Sequence, residues 1–408
     1  MECQVLMSVL FVSRSPTQWQ TPLYRYLHRH EGLDVEVAFS HYIQAPDAEI
    51  GRSHEWGPAA GHAGFISGQL PQNPLSMARW ALNLALRPRY DLIVLQGWGD
   101  LAGRLLLLLT PLSPRLWSRL VIFSDSTDLT PRQSTKRRVR ALLLRSLARL
   151  GVRFAVTGSL ARAHLEGCGV PEARICRLPY AIDNDWVAGE VAAHAGNRRE
   201  LRSQIAGVTC DETPILLAVS KLVRREGPQR LVRAFLAVAT QFPDARLLIV
   251  GDGSDRGQIE EMLNGPGGER VRLLGYRPYA ELPRLYALAD WFVHLPELEP
   301  WGLSVNEAAA AGLPLLCSTQ VGAARELLDH GVNGYLVEAT MEGEKEGVSL
   351  ALSTPAARRQ EMAEGSRIRS EYVHYARWVE EIERLNGRAE ASSRSASVLL
   401  PGSRGATN

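Results

Sequence analysis

Apolar residues recur along this chain in short unbroken runs, and between those runs they fall into a helical rhythm. In the first half the runs are "VLMSVLFVS" (5–13), "VEVAFS" (35–40), "DLIVLQG" (91–97), "RLVIFSD" (119–125), "FAVTG" (154–158) and "ICRLPYA" (175–181). Their length and their Val, Ile and Phe content predict strands. "TPLYRYLHRH" and "STKRRVRALLLRSLARLG" instead repeat apolar positions at the spacing of a helix face. The second half repeats the scheme with "TPILLAVS" (213–220), "ARLLIVGDG" (245–253), "RVRLLGY" (270–276), "DWFVHLP" (290–296) and "LPLLCST" (313–319). A strand apolar on both faces needs helices on both sides, so the pattern predicts an α/β protein with two Rossmann-like domains. The polar, Ala/Gly-rich stretch "DNDWVAGEVAAHAGNRRELRSQ" separates the two series and divides the chain into domains at 1–186 and 187–369. A last helix over 370–386, "SEYVHYARWVEEIERLN", is expected to pack back on the first domain, and the Ser/Gly-rich stretch 387–408 to form a flexible tail.

Composition sharpens this picture in a few places. A chain of 408 residues exceeds what one core comfortably serves. Lys and Arg number 46 against 44 acids, so the net charge of +2 gives no pull toward nucleic acid. Five cysteines, odd in number and never at C-x-x-C spacing, read as reduced thiols of a cytoplasmic protein, with neither a disulfide framework nor a zinc site. The start "MECQVLMSVLFVSRSP" has no basic region ahead of its apolar run and reads as a buried strand, not a signal peptide. "LAGRLLLLLTPLSPRLW" (101–117) holds Arg104 and two prolines, and no transmembrane helix is expected.

Open α/β sheets bind ligands beyond the carboxyl ends of their strands, so the chemistry is sought there. The first strand of the second half ends "AVSKLVRREG", which puts Lys221, Arg224 and Arg225 where cations could neutralise a phosphate beside a helix N-terminus. A solvated basic loop would carry the same residues. The glycines of "LLIVGDGSD" stand at 251, 253 and 257 and miss a dinucleotide fingerprint by one residue, so they read as a turn. In "PELEPWGLSVNEAAAAGLP", Glu299 follows a strand, Pro300 and Gly302 shape a turn, and a helix is expected from about Leu303. Glu307 then sits roughly 6 Å along that helix at about 1.5 Å per residue. The order carboxylate, anion site, carboxylate matches the sugar hydroxyls, diphosphate and ribose hydroxyls of a nucleotide sugar.

Residues 213–338 resemble the donor domain of the retaining GT-B glycosyltransferases of family 4. The resemblance rests on the E-x7-E pair Glu299 and Glu307, "EPWGLSVNEAAAAGLPLLCS", "VGAARELLDHGVNGYLV", "LLIVGDGSD" and "LLGYRPYAELPRLYALADWFVHL". "SRSPTQWQTPLYRYL" and "LPYAIDNDWV" in the first half are similar to segments of the same family. The resemblance implies a fold of two Rossmann-like domains whose parallel sheets face a central cleft. It implies metal-independent transfer of a sugar from a nucleotide-sugar donor, with a UDP-sugar favoured, and no cofactor. Glu299 would touch the transferred sugar, with the amides of Trp301, Gly302 and Leu303 near sugar and diphosphate, and Glu307 would hold the ribose. Lys221 stands where the family usually has a diphosphate-binding arginine, and Tyr276 and Arg277 lie in the loop that holds the base. Where the family usually has a lysine, this chain has Glu226, so Arg225 or Arg224 would have to take over.

The acceptor side should come from Ser13, Arg14, Ser15 and Pro16 after the first strand and from Ser124, Asp125 and Asp128 in "FSDSTDL", with Asp125 the best acid candidate. "DND" at 183–185 copies a metal-binding D-x-D but sits at the domain junction, and "DGSD" lacks the remaining ligands of a calcium loop, so neither is expected to bind metal. The basic amphipathic run 132–149 reads as a solvated helix face, with contact at an anionic inner membrane surface as the alternative. The expectation is therefore a glycosyltransferase acting on a glycan, lipid-linked or small-molecule acceptor. The alternatives are a catalytically silent nucleotide- or partner-binding scaffold of the same fold and a nucleotide-sugar epimerase.

Overall fold

The structure, a computed structural model, describes residues 6–17, 19–41, 66–87, 89–127 and 134–387. Asp128 and nearly all of the tail expected over 387–408 lie outside them. Two parallel sheets organise the chain. The first contains β1 (Met7–Ser13), β2 (Leu33–Phe39), β3 (Ile66–Gln69), β4 (Leu92–Gln96), β5 (Leu120–Ser124), β6 (Arg153–Val156) and β7 (Ile175–Arg177), in the order 3-2-1-4-5-6-7. The second contains β8 (Ile215–Val219), β9 (Arg246–Val250), β10 (Val271–Gly275), β11 (Trp291–His294), β12 (Leu315–Ser318) and β13 (Gly334–Val337), in the order 10-9-8-11-12-13. β3 and β13 were not foreseen, because "ISGQ" and "GYLV" are short and carry glycine. Among the described strands β3 pairs only with β2, and β13 only with β12.

Alternation along each strand splits its side chains between two cores. Leu10 and Val12 of β1 face one core, while Met7, Val9 and Phe11 face the other. In β8, Ile215 and Leu217 oppose Leu216 and Ala218 in the same way. All of these side chains are essentially buried, as doubly covered parallel sheets require. Strand order reverses between β1 and β4 and again between β8 and β11, which puts a ligand crevice at the carboxyl end of each pair.

The chain crosses between the domains twice, at neighbouring points. Residues around Ile182 and Val187 enter the second domain's core, and the "DND" run serves the crossing helix Asn184–Ala193, with Asp183 capping it through the Trp186 amide at 3.0 Å. Fully buried Arg202 ties this linker to Asp290 (3.0 Å), whose carboxylate also accepts from the Ile215 amide at the start of β8. On the return, Ile182 bridges His374, and helix Ala376–Leu385 lays Trp378, Val379 and Ile382 into the first domain's core beside Phe11 and Phe123. Trp378 Nε1 donates to the Pro179 carbonyl at 2.7 Å.

Candidate active site

The loop after β8 and the end of β11 flank the second sheet's switch point. Behind the first, Gly251 (φ +141°) and Gly253 let the backbone pass: a Cβ on Gly251 would meet the Ser220 carbonyl oxygen at 1.8 Å, and one on Gly253 the Leu222 oxygen at 2.4 Å. Close packing, not phosphate binding, accounts for these glycines. The loops after β8 and β9 and the segment after β10 border a cavity of about 170 Å³ lined by Ser220, Lys221, Gly251, Asp252, Tyr276 and Arg277. Three residues singled out in the sequence, Lys221, Tyr276 and Arg277, thus share one wall.

Beyond β11 the chain turns sharply and is pinned at each step. The Glu297 amide donates to the Arg225 carbonyl (3.1 Å), the Glu299 amide to Gln320 (3.1 Å), and Ser318 Oγ to Pro296 (3.0 Å). Gly302 (φ +98°) then turns the chain into helix Leu303–Ala310. Glu299 Oε1 accepts from the Trp301 amide at 3.2 Å, which orients the carboxylate across the helix entry. Arg225 Nη1 lies 3.0 Å from Glu226 Oε1 and 3.7 Å from Glu299 Oε2, so its charge is divided between two acids. Burial pushes the Glu299 carboxyl up, while the Trp301 amide, the Arg225 and Lys221 charges and a hydrogen bond with Glu226 pull it down.

Glu307 sits one turn into the helix, almost fully buried, and accepts from the Tyr286 hydroxyl at 2.6 Å. Burial pushes its pKa up to about 7, against the lowering effect of that hydrogen bond. The structure also brings in His294, the last residue of β11, which the sequence reading took as strand interior. Its side chain is buried and its Nε2 has no hydrogen-bond partner among the described residues. Burial, and then the Arg225 charge, hold its pKa down to about 4, so the imidazole is neutral at pH 7.

From the first domain, Asp125 follows β5 and accepts from the Tyr180 hydroxyl at 2.9 Å. Tyr180 connects the two domains: its ring centroid lies 5.8 Å from that of Trp301, and its carbonyl accepts from Asn306 Nδ2 at 2.6 Å. Its phenol is pushed well above its ordinary pKa by burial, then by the charge and hydrogen bond of Asp125, then by Glu299. Ser13 is buried and bonds Tyr24, and buried Ser124 keeps an unpartnered Oγ among the described residues; Ser15 is half-buried and Arg14 exposed. Glu326 fastens the domains beside this site, accepting from Arg177 (2.9 Å) and from the Ser159 amide (2.6 Å). Gly158 permits that approach, since a Cβ there would stand 2.9 Å from Glu326 Oε1 and from Trp301 Cζ3. The sequence reading singled out neither Tyr180 nor Glu326. The only signal for Tyr180 was its place in "LPYAIDNDWV".

The site therefore combines two largely buried carboxylates either side of a helix entry, a lysine-bearing cavity and a tyrosine–aspartate pair from the opposite domain. Residues 204–369 match the family described as Glycosyl transferases group 1, and residues 21–181 match the Glycosyl transferase 4-like domain. Over 179 residues the chain is 30% identical to a GDP-mannose-dependent alpha-(1-6)-phosphatidylinositol monomannoside mannosyltransferase of Mycolicibacterium smegmatis, an alignment covering 42% of this chain and 44% of that one. The chain thus spans less than half the length of that curated relative. Among solved structures it is similar to a glycosyltransferase from Rickettsia africae, with a TM-score of 0.73 and 14% identity over 95% of this chain and 100% of that one. It is also similar to Anabaena HepE in complex with UDP-glucose, with a TM-score of 0.66 and 18% identity over 96% of this chain and 100% of that one. These likenesses share the fold of two Rossmann-like domains about a cleft.

Proposed function

Since the chain belongs to the group 1 glycosyltransferases of GT-B fold, we propose that it moves a sugar from a nucleoside-diphosphate sugar to an acceptor hydroxyl with retention of anomeric configuration. One observation carries this reading: Glu299 and Glu307 stand either side of a helix N-terminus at the switch point between β8 and β11. Glu307 holds the ribose diol, Tyr276 and Arg277 border the base, and Lys221 with the amides of Gly302 and Leu303 receives the diphosphate. As the glycosidic bond breaks, negative charge grows on the phosphates and positive charge on the sugar carbon. The fixed amides and cations stabilise the first, and Glu299 orients and stabilises the second. The acceptor approaches from Asp125 and Tyr180 on the face the diphosphate leaves, and a phosphate oxygen takes its proton.

UDP-sugars and GDP-sugars are the two donor classes to screen, because a similar structure holds UDP-glucose and a relative is GDP-mannose-dependent. Calorimetric titration with UDP and GDP, then a donor screen with mass detection of products, tests the reading. Glu299→Ala is expected to abolish transfer, and unchanged turnover in that variant overturns the assignment of Glu299. The division of Arg225 between two acids favours a second reading, a scaffold of this fold without transfer, and absence of binding to either nucleotide decides for it.

A lipid-linked acceptor fits a surface on the first domain. Helix Ser134–Leu150 buries Leu144, Leu147 and Ala148 but exposes Val139, Leu142 and Leu143 beside Arg137 and Arg138. Exposed aliphatics among cations suit peripheral contact with an anionic membrane face. No helix among the described residues is long and apolar enough to cross a membrane. Flotation with anionic but not neutral vesicles is the expected result, and its absence leaves a polar-phase acceptor.

A further inference from the structure

Three side chains able to bind a metal converge at the second sheet's switch point. Ligating atoms of Glu226, His294 and Glu299 all lie within 4.8 Å of one another. The transfer chemistry uses Glu299 alone, so the other two call for an explanation. His294 is 4% exposed, and its Nε2 is buried without a hydrogen-bond partner among the described residues. Leaving such a buried polar group unsatisfied is destabilising. The atom lies near Glu299: a Cβ on Gly302 would stand 3.4 Å from His294 Nε2 and 3.3 Å from Glu299 Cγ.

Glu226 is 8% exposed and packs against the β11 exit, because Gly227 (φ +69°) brings its loop so close that a Cβ there would meet the Leu295 carbonyl at 2.6 Å. The Glu226 and Glu299 carboxylates lie side by side, with Arg225 Nη1 3.0 Å from Glu226 Oε1 and 3.7 Å from Glu299 Oε2. A cation held among these groups would supply the positive charge that a lysine at 226 would have given.

We propose that Glu226, His294 and Glu299 bind a divalent first-row cation that neutralises the donor diphosphate, in contrast to the metal-independent transfer expected from the sequence. The link to the diphosphate rests on the reading given under Proposed function, whereas the metal site rests on the three side chains alone. One imidazole and two carboxylates suit Mn2+ or Zn2+ better than the all-oxygen shells of Ca2+. Ligands of one ion stand about 2.0–2.2 Å from it, so the two glutamates must turn inward by side-chain rotation. Arg225, whose side chain is 41% exposed, has room to swing from Glu226 toward solvent or phosphate. Three protein ligands leave open positions for diphosphate oxygens.

The full chain, stripped of metal with a chelator and then freed of the chelator, is titrated with MnCl2 alone, and bound ion is read from the loss of the free Mn2+ resonance signal. One site per chain is expected. Glu226→Gln and His294→Gln are each expected to weaken it by more than about tenfold, beyond the lower end of what losing a supporting partner of a ligand costs. Metal-free thermal melts confirm that both variants fold. Absence of a site, or a site indifferent to both substitutions, overturns the proposal. In a second arm, UDP and GDP are titrated with and without Mn2+. The parent is expected to bind nucleotide about tenfold or more tighter with the ion, and Glu226→Lys to bind it equally well without. A parent indifferent to Mn2+ overturns the link to the diphosphate. If no form binds nucleotide under either condition, the transfer reading fails, and the metal site is judged on its own titration.

Discussion

The two switch-point crevices of this molecule share an architecture and differ in what lies at their strand ends. At β8 and β11 the second domain buries charge: Glu226, Glu307 and His294 are all less than a tenth exposed, Arg225 pairs with Glu226 and Glu299, and the Lys221 charge acts on Glu299. Around the first domain's switch point, the ends of β1 and β5 and the segment after β7 offer serines, an exposed aspartate and a tyrosine hydroxyl. Desolvated charge interacts strongly and responds little to salt, whereas neutral hydroxyls act through directed hydrogen bonds without a net charge. Under the proposed transfer, one crevice would stabilise a charged leaving group and the other would position a hydroxyl.

Substitutions on the two sides should reflect that difference. Glu299→Gln keeps the shape and removes the charge. Its expected cost is about 10²–10³ in kcat, or roughly 3–4 kcal/mol, read in a saturating donor assay. Equal losses from Glu299→Gln and Asp125→Asn would break the comparison.

The next effect is on stability. An acid whose folded pKa is raised stabilises the fold fully below its unfolded value, near 4.5, and that contribution is lost as pH rises through the folded value, here about 7. For Glu307 the loss is on the order of 3 kcal/mol between pH 4.5 and 7 without nucleotide. Buried Glu344 shifts to about 7 as well, through burial against the opposing charge of Arg230. Glu307→Gln is thus expected to lessen the fall in urea midpoint across that window, not remove it. An unchanged slope would place the Glu307 carboxylate in water.

Asp125→Asn is expected to raise the acceptor KM about tenfold, roughly 1.4 kcal/mol, with donor affinity unchanged. Arg177→Ala removes one half-exposed partner of Glu326 and is expected to cost at most about 1 kcal/mol, visible as a slightly more open cleft in small-angle scattering. An effect larger than that of Asp125→Asn would make the interdomain fastening, not the crevice chemistry, the sensitive element.

The charged crevice was also the more legible one. β8 to β12 are continuous apolar runs; Lys221 and Glu299 follow strand ends and Glu307 falls in the next helix, where pattern and spacing locate them, while Tyr276 and Arg277 were reached through the family resemblance. β3 and β13 were missed because their residues gain a strand conformation only by pairing with an existing edge. His294 was missed for a different reason: "DWFVHLP" alternates like any buried strand, and nothing local says that its imidazole lacks a partner. Tyr180 and Glu326 act across the domain boundary, and a contact between residues over a hundred positions apart leaves no period in the sequence.

The return of helix Ala376–Leu385 to the first domain has a consequence for synthesis. The face around Phe11 and Phe123 is closed by Trp378, which follows the whole second domain in the chain. At about 5–20 residues per second, roughly 10–40 s separate the emergence of Pro179 from that of the tryptophan that bonds to it. For that interval the nascent first domain shows an open aromatic face, so the second half of the protein must be made before the first half can finish folding.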